Sequence, residues 1–138
     1  MNFIKRTSLF LMLTLLGFAC QEKKSRPATA LDTARLFVES SLKGDIETAA
    51  LLLDNNSANK EFYKTYENYY QKLSAIEKQQ YKKANYQINS YNEINDTTCL
   101  INYTNDYMRT PMDIKLVKKS GEWFVDFSYT YNSTSTGK

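Results

Sequence analysis

The sequence predicts an α+β domain with its helices first and an antiparallel sheet after them. Three observations carry this: apolar residues recur at helical spacing from Ala28 to about Lys83, the period changes to two from Ala84, and short turn clusters separate the later segments. The first helix is expected over Ala28 to Leu42, where Leu31, Ala34, Phe37, Val38 and Leu42 share a stripe and Gly44 is placed to end it. Asp45 then serves as N-cap of a second helix carrying Ile46, Ala49, Ala50, Leu52 and Leu53, which the turn formers Asp54-Asn55-Asn56 stop. A longer helix, about Lys60 to Lys83, sets Phe62, Tyr66, Tyr69, Leu73 and Ile76 on one face and Lys82 and Lys83 at the end that favours cations.

In the first strand Tyr86, Ile88 and Ile94 share a parity, and Asn95-Asp96 makes the turn. Cys99, Ile101, Tyr103 and Tyr107 share a parity in the second. The third strand, Met112 to Lys119, follows Pro111, and Ser120-Gly121 turns the chain into the fourth. There Trp123, Val125, Phe127, Tyr129 and Tyr131 alternate with Phe124, Asp126, Ser128 and Thr130, and residues 132–138 are small and polar, as expected of a frayed tail.

Ahead of the domain the chain carries an address. Lys5-Arg6 precedes an apolar run from Leu9 to Phe18, and Ala19-Cys20 closes it with a small residue and a cysteine. The run is about ten residues long, too short to stay as an anchor when a spanning helix needs ~20. On these residues the segment closely resembles the signal peptide of bacterial lipoproteins, in the relaxed form familiar in the Bacteroidota. The resemblance implies that residues 1–19 are removed and that Cys20 receives a diacylglyceryl group, with acyl chains such as palmitate, to become the mature N-terminus. The alternative is an ordinary cleaved signal with an incidental cysteine. Residues 20–29 are polar and expected to form a flexible tether to a domain at 30–131. Gln21-Glu22-Lys23-Lys24 is not the acidic run that accompanies surface export in some Bacteroidota, so the expected location is the periplasmic face of the outer membrane.

Composition narrows the function. Removing Lys5 and Arg6 from the 18 basic residues leaves 16 against 15 acidic ones, a balance with no nucleic-acid footprint. The chain has no histidine and no carboxylate cluster at ligand spacing, so neither a metal nor any other cofactor is expected. With Cys20 acylated, Cys99 is the only thiol left, and its place in an alternating apolar stretch predicts a buried, inert group.

A second resemblance lies in the domain. Ala34 to Ala49, with Phe37 and the turn Lys43-Gly44-Asp45-Ile46-Glu47, together with Val117 to Val125 around Gly121 and Trp123, looks like the small lipoproteins of the nuclear-transport-factor-2-like superfamily. The resemblance implies a cone, in which a curved four-stranded antiparallel sheet wraps helices around a pocket; many bacterial lipoprotein members have no assigned activity. Enzymes of this fold place an acid, histidine or tyrosine inside the cone.

Two classes of function are open to such a domain. The leading one is non-catalytic: an envelope lipoprotein that binds a protein partner or a small apolar ligand. Its candidate pocket residues are the polar groups on the apolar strand parity, Ser90, Asn92, Tyr103, Asn105, Tyr107 and Tyr129. The alternative is that these residues sit at the open rim, or that the tyrosines fill the core with their hydroxyls reaching water. The alternative function is a small hydrolase, isomerase or dehydratase, which would need an inward carboxylate as base. Glu93, Asp106, Asp113 and Asp126 all fall on the opposite parity, which predicts that they face water unless a bulge reverses the register. Of the eleven tyrosines, Tyr63, Tyr66, Tyr69 and Tyr70 crowd one helix, with Tyr63 and Tyr70 expected partly exposed as a protein-binding patch.

Overall fold

In the computed structural model, residues 26–135 are described; the expected signal peptide, Cys20 and most of the tether lie outside them. Arg26, within the segment expected as a tether, is docked on the domain. Its guanidinium stacks on Phe124 at 4.3 Å, donates through Nη2 to the Leu51 carbonyl and lies 3.6 Å from the Glu122 carboxylate.

Helix α1 (Ala30–Lys43) starts where Thr29 Oγ1 accepts from the Asp32 N–H at 3.1 Å, and ends at Gly44, which takes a left-handed φ of 74°. Gly44 is held there by packing as well as by conformation. A Cβ at this position would collide with the hydroxyl and ring of Tyr70. Gly44→Ala is therefore expected to cost about 2–4 kcal/mol, the sum of a left-handed alanine and an overpacked contact. Chemical denaturation checks this, and a loss under ~0.5 kcal/mol would show that the ring moves aside freely. Tyr70→Phe, by contrast, should be neutral or slightly stabilising, since the buried Tyr70 hydroxyl has no hydrogen-bond partner among the described residues.

Asp45 caps α2 (Ile46–Leu51), its Oδ1 accepting from the Thr48 N–H at 3.1 Å. The helix stops at Leu51, two residues earlier than its apolar pattern suggests. Leu53 bridges to Val125 as a short parallel partner instead, with the Val125 N–H donating to Leu52 O at 2.8 Å and the Asp54 N–H to Val125 O at 2.9 Å.

The expected long helix is in fact two, α3 (Ser57–Lys72) and α4 (Ala75–Lys83). The break is a capping box: the Ser74 N–H donates to Glu77 Oε2 at 2.8 Å and the Glu77 N–H to Ser74 Oγ at 3.3 Å. This local chemistry outweighs the helical periodicity that runs through it. It also changes the buried face, because Tyr63 and Tyr70 turn inward, contrary to their expected exposure, while Tyr69 (46% exposed) and Ile76 (70%) turn out.

Strands β1 (Tyr86–Asn95), β2 (Thr98–Asn105), β3 (Met112–Lys119) and β4 (Glu122–Asp126) form one antiparallel sheet in sequential order. Two departures matter for the site. A bulge at Asn89, whose amide donates to Asn102 Oδ1 and Thr104 Oγ1 (both 2.7 Å), breaks the β1 register between Ile88 and Ser90. Tyr86 and Ile88 remain opposite the buried Asn105 and Tyr103, but Ser90 and Asn92 now pair with Asn102 and Leu100 on the far face. The fourth strand ends at Asp126 and does not run on to Tyr131. Asp126 Oδ1 accepts from Ser128 Oγ (2.7 Å) and the Tyr129 N–H (3.4 Å), capping α5 (Phe127–Ser135), so the segment expected as a frayed tail is helical through Ser135.

The helices bury their apolar faces on one side of the sheet. Phe37 of α1, Tyr63 of α3 and Phe127 of α5 meet over Ile101, Ile114, Leu116 and Val125, with Phe37–Phe127 ring centroids 5.9 Å apart and Tyr63–Phe127 5.3 Å apart, both edge-on. Cys99, fully buried in the same layer, has its thiol pushed up by burial, as expected of an inert group.

A tyrosine-lined pocket as candidate functional site

At the end of α1 distant from Arg26, the helices part from the sheet and leave a cavity of about 610 Å³. α1 contributes Phe37, Val38, Ser41 and Leu42, and α3 contributes Thr65, Tyr66 and Tyr69. Tyr81 comes from α4, Tyr103 and Asn105 from β2, and Met108 and Met112 from the β2–β3 loop and β3. Phe127, Thr130 and Tyr131 of α5 close the far wall. Thr65, Tyr69 and Met108 are exposed and mark the mouth.

The ring groups are held by packing on one another. Tyr131 stacks on Phe62 at 4.6 Å, Tyr81 lies 4.6 Å from Tyr107, and Tyr70 meets Tyr81 edge-on at 5.7 Å. Tyr66 donates to the Ser41 carbonyl at 3.0 Å, a second bond to an oxygen in the last turn of α1 that also accepts from the Gly44 N–H at 3.2 Å. Tyr103 donates to Met112 Sδ at 3.8 Å, across the β2–β3 pair in which the two residues face each other. Burial holds the hydroxyls of Tyr63, Tyr66 and Tyr103 well above the ordinary tyrosine range and pushes Tyr81 up to about 12. At neutral pH the cavity therefore presents intact O–H donors. Among the described residues, neither a carboxylate nor a lysine or arginine lines it.

Of the six candidate residues, Tyr103 and Asn105 line this cavity and four do not. Asn105 does so as a brace: its Oδ1 accepts from the N–H groups of Tyr107 (3.1 Å) and Met108 (2.8 Å) and fixes the loop at the mouth. Tyr107 lies past the end of β2, in that loop, and supports Tyr81 without reaching the lining. Ser90 and Asn92 are exposed on the far face because of the Asn89 bulge. Tyr129 sits on α5 and not on a strand, 37% exposed, with Lys115 Nζ 5.6 Å over its ring. The helical lining, Ser41, Thr65, Tyr66, Tyr69 and Tyr81, escapes a search based on strand parity alone. The spacing of Tyr66 and Tyr69 on α3 is the signal that points to it.

The four acids also lie outside the lining. The bulge does turn Glu93 to the helix side, opposite Cys99, where Tyr91 donates to its Oε1 at 2.9 Å; Glu93 remains exposed there. Asp106 accepts from Asn85 Nδ2 at 3.2 Å and Asp113 from Asn102 Nδ2 at 2.7 Å. Burial would raise the Asp126 pKa, but the Ser128 hydroxyl and Lys115 at 3.2 Å outweigh it and hold the carboxyl below its usual range. Among the described residues no group of three His, Cys, Asp or Glu is placed to hold a metal ion, and no helix is long and apolar enough to cross a membrane. No protein-family model matches the chain, and no curated protein matches it.

Proposed function

We propose that this protein is a lipid-anchored binding protein of the bacterial envelope, whose domain is a nuclear-transport-factor-2-like cone holding a small apolar ligand. The single observation that carries the binding role is the cavity of about 610 Å³, walled among the described residues by aliphatic and aromatic side chains with a few hydroxyls, one amide and no charge. Its size and mixture of groups match a small-molecule site. The helices on one face of a four-stranded meander, parting from it at one end, support the cone architecture. A protein-binding patch on α3 draws less support, because Tyr63 and Tyr70 are buried in the core. A hydrolase, isomerase or dehydratase would need a base at the cavity, and the lining supplies no carboxylate for that role. Anchoring through Cys20, at the periplasmic face of the outer membrane, rests on the signal-peptide layout of residues 1–20.

The two parts are tested separately. Ser41→Phe places a ring in the cavity from α1, and binding of the neutral fluorophore N-phenyl-1-naphthylamine is expected to weaken at least ~10-fold, about 1.4 kcal/mol. Undiminished binding by the variant would place the apolar site elsewhere. Cys20→Ser should abolish fatty-acid labelling and release the protein from the membrane fraction, and unchanged labelling would end the anchor proposal.

A further inference from the structure

The cavity is chemically one-sided. Its walls are apolar, its polar groups are phenols, alcohols and the Asn105 amide, and among the described residues none that lines it carries a charge. An ionised headgroup brought inside would lose its hydration and find no counter-ion, which strongly disfavours carboxylates, phosphates and ammonium groups. A neutral oxygen faces no such barrier.

One donor is also poorly used. Tyr103 is 9% exposed, and its hydroxyl donates to the sulfur of Met112 at 3.8 Å. A thioether is a weak acceptor, so a buried O–H in this position is under-satisfied. A carbonyl oxygen arriving from the cavity would replace that contact with a stronger one. The side chain is well placed for this, since β2 and β3 fix Tyr103 and Met112 opposite each other and Asn105 braces the loop that follows. The phenol stays protonated far above neutral pH, because burial raises its pKa.

We infer that the ligand is an uncharged molecule with an aliphatic chain and a carbonyl oxygen, a neutral acyl ester being the simplest, whose carbonyl accepts from Tyr103 while its chain lies along Phe37, Leu42 and Phe127. This deepens the binding role proposed above and rests on it. The same chain bearing a free carboxylate is excluded, and so are phospholipid headgroups.

Three probes built on one ten-carbon chain separate these properties. The full mature chain carrying Cys20→Ser, saturated with N-phenyl-1-naphthylamine at pH 8, is titrated with methyl decanoate, decanoate or decane. Methyl decanoate is expected to displace the fluorophore at least ~10-fold more effectively than decanoate, with decane between them. Tyr103→Phe should weaken methyl decanoate about fivefold and leave decane unchanged, so that decane also reports an intact fold. Equal displacement by decanoate and its ester would overturn the inference, as would an equal loss for ester and decane in Tyr103→Phe. Fluorophore that binds but is not displaced by methyl decanoate overturns the ligand class alone, and a fluorophore that fails to bind overturns the pocket with it.

Discussion

Raising the pH above about 10 is expected to unfold the domain in one cooperative step, with tyrosine ionisation and loss of secondary structure occurring together. Tyr81 moves from an unperturbed 10.0 to about 12 in the folded state, and burial moves Tyr63 and Tyr103 further in the same direction. Above pH 10 the unfolded chain has released these protons while the folded chain still holds them. Stability is therefore complete below the unfolded value and falls as pH rises toward the folded one. By pH 12 Tyr81 alone loses roughly 2 kcal/mol, and Tyr63 and Tyr103 add losses of the same order, a sum comparable with the whole stability of a small domain. Tyrosine absorbance and circular dichroism followed against pH provide the check. Surface ion pairs such as Lys119–Asp54 contribute only ~0–1 kcal/mol each. Tyr81→Phe should accordingly move the onset to higher pH. Gradual ionisation near pH 10 with secondary structure intact would mean that the rings are reachable by water.

Asn59→Leu is expected to cost about 3 kcal/mol, although the residue has no contact with the cavity. Asn59 is fully buried and joins three segments by its side chain alone. Its Nδ2 donates to Asp54 O at 2.9 Å and Val125 O at 3.5 Å, and its Oδ1 accepts from the Ser128 N–H at 2.8 Å. Leucine has nearly the right volume, so packing changes little; what is lost is the hydrogen bonding, and the half-buried Ser128 N–H is left without its acceptor. The urea midpoint should fall with the slope unchanged. Because Ser128 lies in the first turn of α5, amide exchange should quicken from Ser128 to Tyr131, and fluorophore binding should weaken through Thr130 and Tyr131. A midpoint within experimental error of the parent would show that the amide is not the junction described here.

The helix-then-meander order, the Gly44 stop, the Asp45 cap and the third strand are all legible in the sequence, because each depends on chemistry within a few residues. Legibility fails where two local signals compete. Ser74 and Glu77 form a capping box inside an unbroken apolar stripe, and the cap prevails. Asp126 caps α5 within an unbroken alternation, and again the cap prevails. Asn89 is harder, since its bulge is stabilised by Asn102 and Thr104 on the neighbouring strand, partners that no local pattern can reveal. That one insertion moves Ser90 and Asn92 off the candidate site. Tyr103 and Asn105 stay on it because β2, between two neighbours, keeps a regular alternation of buried residues. The helical half of the cavity depends on how α3 and α4 pack against α1, which is decided by tertiary contact.

Arg26 has a consequence for reach. Pinned to Phe124, Glu122 and Leu51, it leaves six Cα-to-Cα steps back to Cys20, which span at most ~22 Å in any conformation. From Thr29 to Ser41, α1 carries the chain about 18 Å in the direction of the cavity. With Cys20 held in a bilayer, the leash would have to run nearly its whole length beside the helix before Thr65, Tyr69 and Met108 could touch lipid. On the proposed anchoring, an upright domain would hold this entrance on its watery side, and a ligand would then reach it through the aqueous space.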